Sequence, residues 1–297
     1  MTVPVNLPAR RLLIGAALAA PFLSRAAAQN SATSLQAQMT ALEKTSGGRL
    51  GVAVLDMATG ARFAWRGDEH FAMCSTFKFL LAAAILQRVD RGEDNLARTI
   101  PVHPTDLLDP TPTAGRFVGR AAPVGALLQG MIEFSDNTAA NLLLASLGGP
   151  PALTAALRAM GDPATRLDRN EPTLNEARPG DPRDTTTPNA MLNDLQRITL
   201  GNTLSATSRQ RLTAWLRACQ TGLERLRAGL PPGWVAGDKT GTSGRGTSND
   251  LAIIWPPSRA PLLITCYLTQ STLDQPGQNA IHAKLARAVA AALPLHA

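Results

Sequence analysis

The stretch Leu50-Gly51-Val52-Ala53-Val54-Leu55-Asp56-Met57 is short and apolar at nearly every position, which predicts a buried strand. Ala58-Thr59-Gly60 turns the chain, and Arg62–Arg66 returns as a second strand. Upstream, residues 33–46 have helical character and stop at Gly47-Gly48. Downstream, Phe77–Val89 is apolar nearly all round, the pattern of a buried helix. From there to about residue 225 the chain reads as helices and Pro/Gly-rich loops, with an irregular segment, Asp162–Asp184, that holds four prolines. Three further strands follow at Trp234–Lys239, Asp250–Trp255 and Leu262–Leu268, and a last helix runs from about Ala280 to Leu293. The expected fold class is α/β (α+β): a five-stranded, largely antiparallel sheet flanked by terminal helices, with a large all-helical subdomain inserted after the second strand. The sheet part covers about 33–70 and 226–297, the helical part about 71–225. A cleft between them is the expected place for a site.

The chain has 297 residues, 44% hydrophobic and 17% charged, which excludes an intrinsically disordered protein. Past the N-terminus no apolar run reaches about 18 residues, so no membrane span is expected in the body of the chain. The net charge is +7, but the charges are scattered without a block of one sign, so no nucleic-acid partner is expected. Only four lysines occur, Lys44, Lys78, Lys239 and Lys284, which makes a lysine inside a motif informative. Residues 1–28 read as an export signal: Arg10-Arg11, the apolar stretch Leu12–Leu23, then Ala26-Ala27-Ala28 before Gln29. The arginine pair suggests a twin-arginine signal, with a general secretory signal as the alternative. Residues 29–297 would then be a single catalytic domain, periplasmic or secreted by a bacterium. Cys74, Cys219 and Cys266 match no zinc spacing, so no metal is expected and buried free thiols are the default. No feature calls for an oligomer, and a monomer is expected.

Three short motifs carry chemistry. In Ser75-Thr76-Phe77-Lys78 the hydroxyl and amine lie three apart, on one face of a helix. The serine sits at the positive end of the helix dipole, and a buried lysine beside it would have a depressed pKa. Ser135-Asp136-Asn137 reads either as a capping turn before the apolar helix Thr138–Ser146 or as a hydroxyl and an amide facing a cleft. Lys239-Thr240-Gly241-Thr242 ends a predicted strand. Its cation and hydroxyls could hold a carboxylate, and its glycine allows close backbone approach.

In this order, S-x-x-K, S-D-N and K-T-G resemble the signature of the serine penicillin-recognising enzymes, the β-lactamases of class A and the penicillin-binding transpeptidases. The likeness extends from about residue 33 to 293. Arg169-Asn170-Glu171-Pro172-Thr173-Leu174-Asn175-Glu176 resembles the E-x-x-L-N segment of the class A Ω-loop, which points to a class A β-lactamase rather than a D,D-peptidase or a β-lactam sensor. The resemblance implies a serine hydrolase that opens the β-lactam ring of penicillins and cephalosporins through an acyl-enzyme and confers antibiotic resistance. It needs no cofactor, and its partner is a small-molecule β-lactam. It assigns Ser75 as nucleophile and Lys78 and Glu171 as alternative bases. Ser135 would relay a proton to the leaving nitrogen, and Asn175 would hold the hydrolytic water with Glu171. The backbone N–H groups of Ser75 and Thr242 would form the oxyanion hole. Asn137 would bind the drug's side-chain amide, and Lys239, Thr240, Gly241 and Thr242 its carboxylate region. Arg169 and Asp184 would close the neck of the loop. Cys74, Thr242 and Arg225, the last as a carboxylate-binding arginine, resemble the carbapenemase branch. That branch pairs its cysteine with another where Ser243 stands here, and many relatives have an aromatic residue near Pro110. An ordinary penicillinase or cephalosporinase is therefore expected.

Overall fold

The computed structural model describes residues 1–2 and 20–295, with side chains in the first helix from residue 33 onward. The export-signal reading of residues 1–28 lies outside the described residues, save for helical backbone from Ala20. Helix α1 spans Ala20–Ser46, longer than the 33–46 expected. Strands β1 (Arg49–Asp56), β2 (Arg62–Trp65), β3 (Val235–Ser243), β4 (Thr247–Trp255) and β5 (Leu262–Thr269) form one antiparallel sheet in the order β2-β1-β5-β4-β3. The long excursion between β2 and β3 contains helices α2 (Phe77–Asp90), α3 (Val124–Glu133), α4 (Asn137–Leu147), α5 (Pro150–Ala159), α6 (Pro188–Thr199) and α7 (Ala206–Arg217). Helix α8 (Gln275–Ala291) closes the described chain; Asp274 caps it by accepting the Gly277 N–H at 2.9 Å.

Strands β1, β4 and β5 are buried along nearly their whole length because both faces of the sheet are covered there, whereas the edge strand β2 alternates. Successive side chains of a strand point to opposite faces. Val52, Val54, Ile254 and Ile264 pack with Leu35 and Met39 of α1 and Leu285 and Val289 of α8. Their neighbours Ala53, Leu55, Ile253 and Leu263 join the second core, built on α2 and the other inserted helices. Helix α2 is buried from Phe77 to Leu86, Lys78 included. Among the described residues no single helix is long and apolar enough to cross a membrane.

One strand boundary corrects the sequence reading. K-T-G does not end its strand: β3 continues to Ser243 and pairs Gly241 with Asn249 and Thr242 with Ser248. The Thr/Gly-rich tail reads locally as a turn, but ladder bonds to β4 keep it extended. The hairpin closes only at Gly244–Gly246, where Gly246 has φ +65°.

Candidate active site

Ser75 lies in the single 3-10 turn Cys74–Thr76 that leads into α2. Cys74 takes a left-handed φ of 46°, so the chain turns sharply just before the serine. Asn249 of β4 fixes this turn by donating from Nδ2 to the carbonyls of Ala72 at 2.8 Å and Met73 at 3.0 Å. Ser75 Oγ donates to Glu171 Oε1 at 3.2 Å. One turn along, Lys78 is fully buried, and its Nζ lies 3.0 Å from the same Oε1. It also donates to Ser135 O at 2.8 Å, Ser135 Oγ at 3.3 Å and Asn137 Oδ1 at 2.6 Å. Burial pushes the Lys78 amine below its ordinary value, while Glu171 pulls it back toward the charged form.

Ser135-Asp136-Asn137 is a capping turn, as one of its two readings expected. Asp136 caps α4, with Oδ1 accepting the Ala139 N–H at 2.8 Å. Its Oδ2 takes the N–H groups of Thr113 and Ala114 at 2.9 and 2.8 Å, tying down the neighbouring loop. Ser135, held at φ 59°, turns its hydroxyl toward two cations. Lys239 Nζ donates to Ser135 Oγ at 3.0 Å from the sheet side, and Lys78 approaches from the helical side. Asn137 spans from Lys78 to the Asp109 carbonyl, to which its Nδ2 donates at 2.8 Å.

The edge strand β3 forms the other wall. Burial, opposed by neighbouring Cys219 and reinforced by the charge of Lys78, lowers Lys239 to about 8. Thr240 Oγ1 bonds to Thr221 Oγ1 at 2.6 Å. A Cβ on Gly241 would sit 2.6 Å from Met73 O and 3.1 Å from Ser75 N, so only glycine lets β3 press against the Ser75 turn. Arg225 is buried behind this strand. It donates to Gly241 O at 3.0 Å, Asn249 O at 2.6 Å and Asn279 Oδ1 at 3.2 Å, and to Thr242 Oγ1 at 2.6 Å. Through Thr242 the guanidinium reaches the site indirectly.

The loop between α5 and α6 supplies the carboxylate. Glu171 Oε2 accepts from Asn175 Nδ2 at 2.5 Å. Asn141 clasps the Glu171 backbone from both sides, Oδ1 taking its N–H at 3.0 Å and Nδ2 giving to its carbonyl at 2.9 Å. At the loop's neck Arg169 Nε donates to Asp184 Oδ2 at 2.5 Å, and the N–H groups of Asp168 and Arg169 reach Oδ1 at 2.7 and 2.9 Å. Arg169 also holds Glu176 at 2.9 Å.

A family model described as a β-lactamase enzyme family matches residues 34–293. β-Lactamase CTX-M-25 of Escherichia coli is 47% identical over 258 residues, covering 87% of this chain and 89% of that protein. A β-lactamase of Citrobacter koseri is 44% identical over 283 residues, covering 94% of this chain and 96% of its own. Among solved structures, an ancestral (GNCA) class A β-lactamase superposes with a TM-score of 0.86 at 58% identity, covering 87% of this chain and all of the other. A β lactamase of Xanthomonas campestris gives 0.87 at 48% identity, over 89% and 98%.

The chain belongs to the class A β-lactamases. Its fold and its activity, the hydrolysis of β-lactams that confers resistance, follow from that membership. As a class A β-lactamase it carries three buried, unbridged thiols. Cys74 is pushed up to about 12 by burial first and Glu171 second, which keeps it an inert thiol one residue from the serine. Sequence reading missed Asn141, Asn249 and Thr221. Asn141 had a legible signal, four residues after Asn137 on one face of α4. The other two meet the motifs only through β-strand register or a loop crossing.

Proposed function

We propose that this β-lactamase works through a covalent serine ester, with Ser75 as nucleophile and Glu171 as the base for both half-reactions. The carrying observation is that Glu171 Oε1 accepts the Ser75 hydroxyl at 3.2 Å while its other oxygen is held by Asn175. Lys78 Nζ is surrounded by four oxygen acceptors, which suits an ammonium with three protons rather than a free amine. At rest its role is electrostatic, holding Glu171 and Ser135 in place. Ser75 Oγ gives its proton to Glu171 and bonds to the lactam carbonyl carbon. The C–N bond then breaks, and the nitrogen takes a proton from Ser135; Lys78 replaces that proton and recovers its own from Glu171 across 3.0 Å, so that Glu171 is a carboxylate again before the second half. In the second half, a water between Glu171 and Asn175 loses a proton to the carboxylate and attacks the ester, and Ser75 Oγ leaves with that proton. The N–H groups of Ser75 and Thr242 would stabilise both oxyanions, at about 3 kcal/mol per donor. Lys239, Thr240, Gly241 and Thr242 bind the carboxylate end of the drug, with Arg225 adding positive field through Thr242; Asn137 binds the side-chain amide.

The test is purified protein with excess benzylpenicillin, following drug loss and protein mass together. The expected result is many turnovers with a transient adduct, and, in the Glu171→Ala variant, an adduct on Ser75 that forms more slowly and then persists. Unimpaired turnover in that variant would remove the role from Glu171. A persistent stoichiometric adduct on the unaltered enzyme would favour a penicillin-binding protein or a sensor.

Residues 29–297 are read as one catalytic domain that acts as a monomer, exported by residues 1–28. Arg10-Arg11, the apolar stretch and the small residues before Gln29 support the export reading. N-terminal sequencing of the periplasmic protein is expected to begin at Gln29; recovery of an uncleaved chain in the cytoplasm would overturn it.

A further inference from the structure

Away from the reacting atoms, two carboxyl groups are buried against each other where the loop that carries Glu171 begins. Asp162 follows α5 and is 1% exposed; Asp194 lies on the inner face of α6 and is fully buried. Asp162 Oδ1 accepts the N–H groups of Ala164 at 2.8 Å and Thr165 at 3.0 Å. Its Oδ2 and both oxygens of Asp194 receive no N–H or O–H donor among the described residues. Arg197 is the nearest cation, but its Nε stays 3.5 Å from Asp194 Oδ1 and turns instead to the carbonyl of Asn193 at 3.3 Å, while its Nη1 serves Met160 O. Arg158 spends one guanidinium nitrogen on the carbonyls of Asp162 and Thr165, at 2.6 and 2.7 Å. From β5 the Tyr267 phenol, itself pushed up by burial, offers no countercharge. Two adjacent buried carboxylates that share only this one loosely placed guanidinium cannot both stay ionised. A proton on one of them supplies the donor that the orphaned oxygens lack.

We propose that Asp162 and Asp194 share a single proton, and that this acid–carboxylate bond is a positioning element that pins the neck of the Glu171 loop to α6. Asp194 keeps the proton: burial, and then the charge of Asp162, push it up to about 9. Asp162 is the carboxylate; burial would raise it, but donors from Asp194, Thr165 and Ala164 outweigh that and hold it low. The residues that Asp162 caps are the ones that cross the neck. Thr165 Oγ1 bonds to Thr186 Oγ1 at 2.6 Å, and the Arg166 N–H reaches Thr185 O at 3.0 Å. Past them the chain enters α6 at Pro188 and returns to Asp194.

The sign of the pH dependence follows from proton linkage. Between the ordinary carboxyl range and about 9, the folded protein holds one proton at Asp194 that the unfolded chain has released. The folding equilibrium therefore weakens by about tenfold per pH unit across that window, relative to a variant that cannot take up the proton. Asp194→Asn is such a variant, because its amide N–H permanently replaces the acid O–H toward Asp162. Asp162→Asn, which gives Asp194 an amide donor and leaves a single carboxylate, is the second variant should the first fold poorly.

Denaturant unfolding of enzyme and variant at a series of pH values is the first measurement. The variant is expected to gain on the unaltered enzyme by about tenfold in the folding constant per pH unit up to about pH 9. The protonated-carboxyl C=O stretch of the unaltered enzyme should be missing from the variant's infrared spectrum. Parallel stability curves, or no difference in that band, would overturn the shared proton. The positioning half rests on the role proposed above for Glu171. It predicts that deacylation slows above about pH 9 in the unaltered enzyme, where the proton leaves, and stays level in the variant. Equal deacylation profiles alongside divergent stability curves would overturn positioning alone. The stability and infrared arms need no turnover, so they stand or fall independently of the assigned catalysis.

Discussion

At the residue scale, the decisive feature is the placement of two lysines against one hydroxyl. Lys78 and Lys239 reach Ser135 Oγ from opposite walls, at 3.3 and 3.0 Å. Burial lowers both ammonium groups, and the charge of Lys78 lowers Lys239 further. For Lys239 this brings the loss of charge down to about 8. As pH rises through that value the ammonium becomes neutral, and the hold on a drug carboxylate proposed for it weakens. For an anionic β-lactam, kcat/KM is therefore expected to fall on the alkaline side, approaching tenfold per pH unit well above about 8. Lys239→Arg, whose side chain stays charged, should move this limb to higher pH. The measurement is kcat/KM against pH for both proteins; a limb that stays in place in the arginine variant would detach it from Lys239.

At the element scale, the site depends on a loop with little regular structure of its own. The described segment from Asp162 to Asp184 contains one short 3-10 turn, Thr173–Glu176. Side chains do the work that a ladder would do elsewhere: Asn141 holds Glu171, and Arg169 with Asp184 holds the neck. Asp184 is fully buried, so removing Arg169 would leave its carboxylate with backbone donors only. Arg169→Ala is expected to cost roughly 3 kcal/mol, because an uncompensated buried charge costs more than the pair itself contributes. The variant should also be cleaved faster within this loop by added protease. Denaturant titration with limited proteolysis checks both, and unchanged stability with unchanged cleavage would count against the neck as the loop's anchor.

At the scale of the whole molecule, two cores press on one sheet; Cys266 lies in one of them, and Cys74 and Cys219 are buried as well. Burial pushes Cys219 up to about 11 and Cys74 to about 12, so thiolate is scarce at neutral pH. The folded enzyme is expected to be silent toward an aromatic disulfide reagent and to titrate three thiols once unfolded. Reaction of the folded protein at the same rate as the unfolded chain would show that these cores open readily. The same layering explains which elements were legible. The strand and helix cores around Val54, Phe79 and Ile264 came through as apolar runs, since their neighbours on both sides are also apolar. The end of β3 did not, because Thr240–Ser243 are held extended only by partners in β4.

What the sequence alone determined was the identity of the groups and their order along the chain: Ser75 with Lys78, Ser135 with Asn137, Glu171 with Asn175, and Lys239 with Gly241. Their local spacing, together with the alternation of strands and helices, was enough to place them in a family and a fold. The tertiary structure decided which of them touch. It set Glu171 against Ser75 across 96 positions of chain and Lys239 against Ser135 across 104. It placed Arg225 behind β3 rather than in the open, and it closed Asp162 on Asp194. The physical reason is that hydrogen bonds and buried charges are settled by through-space distance and desolvation. Neither has a periodicity that a linear sequence can display.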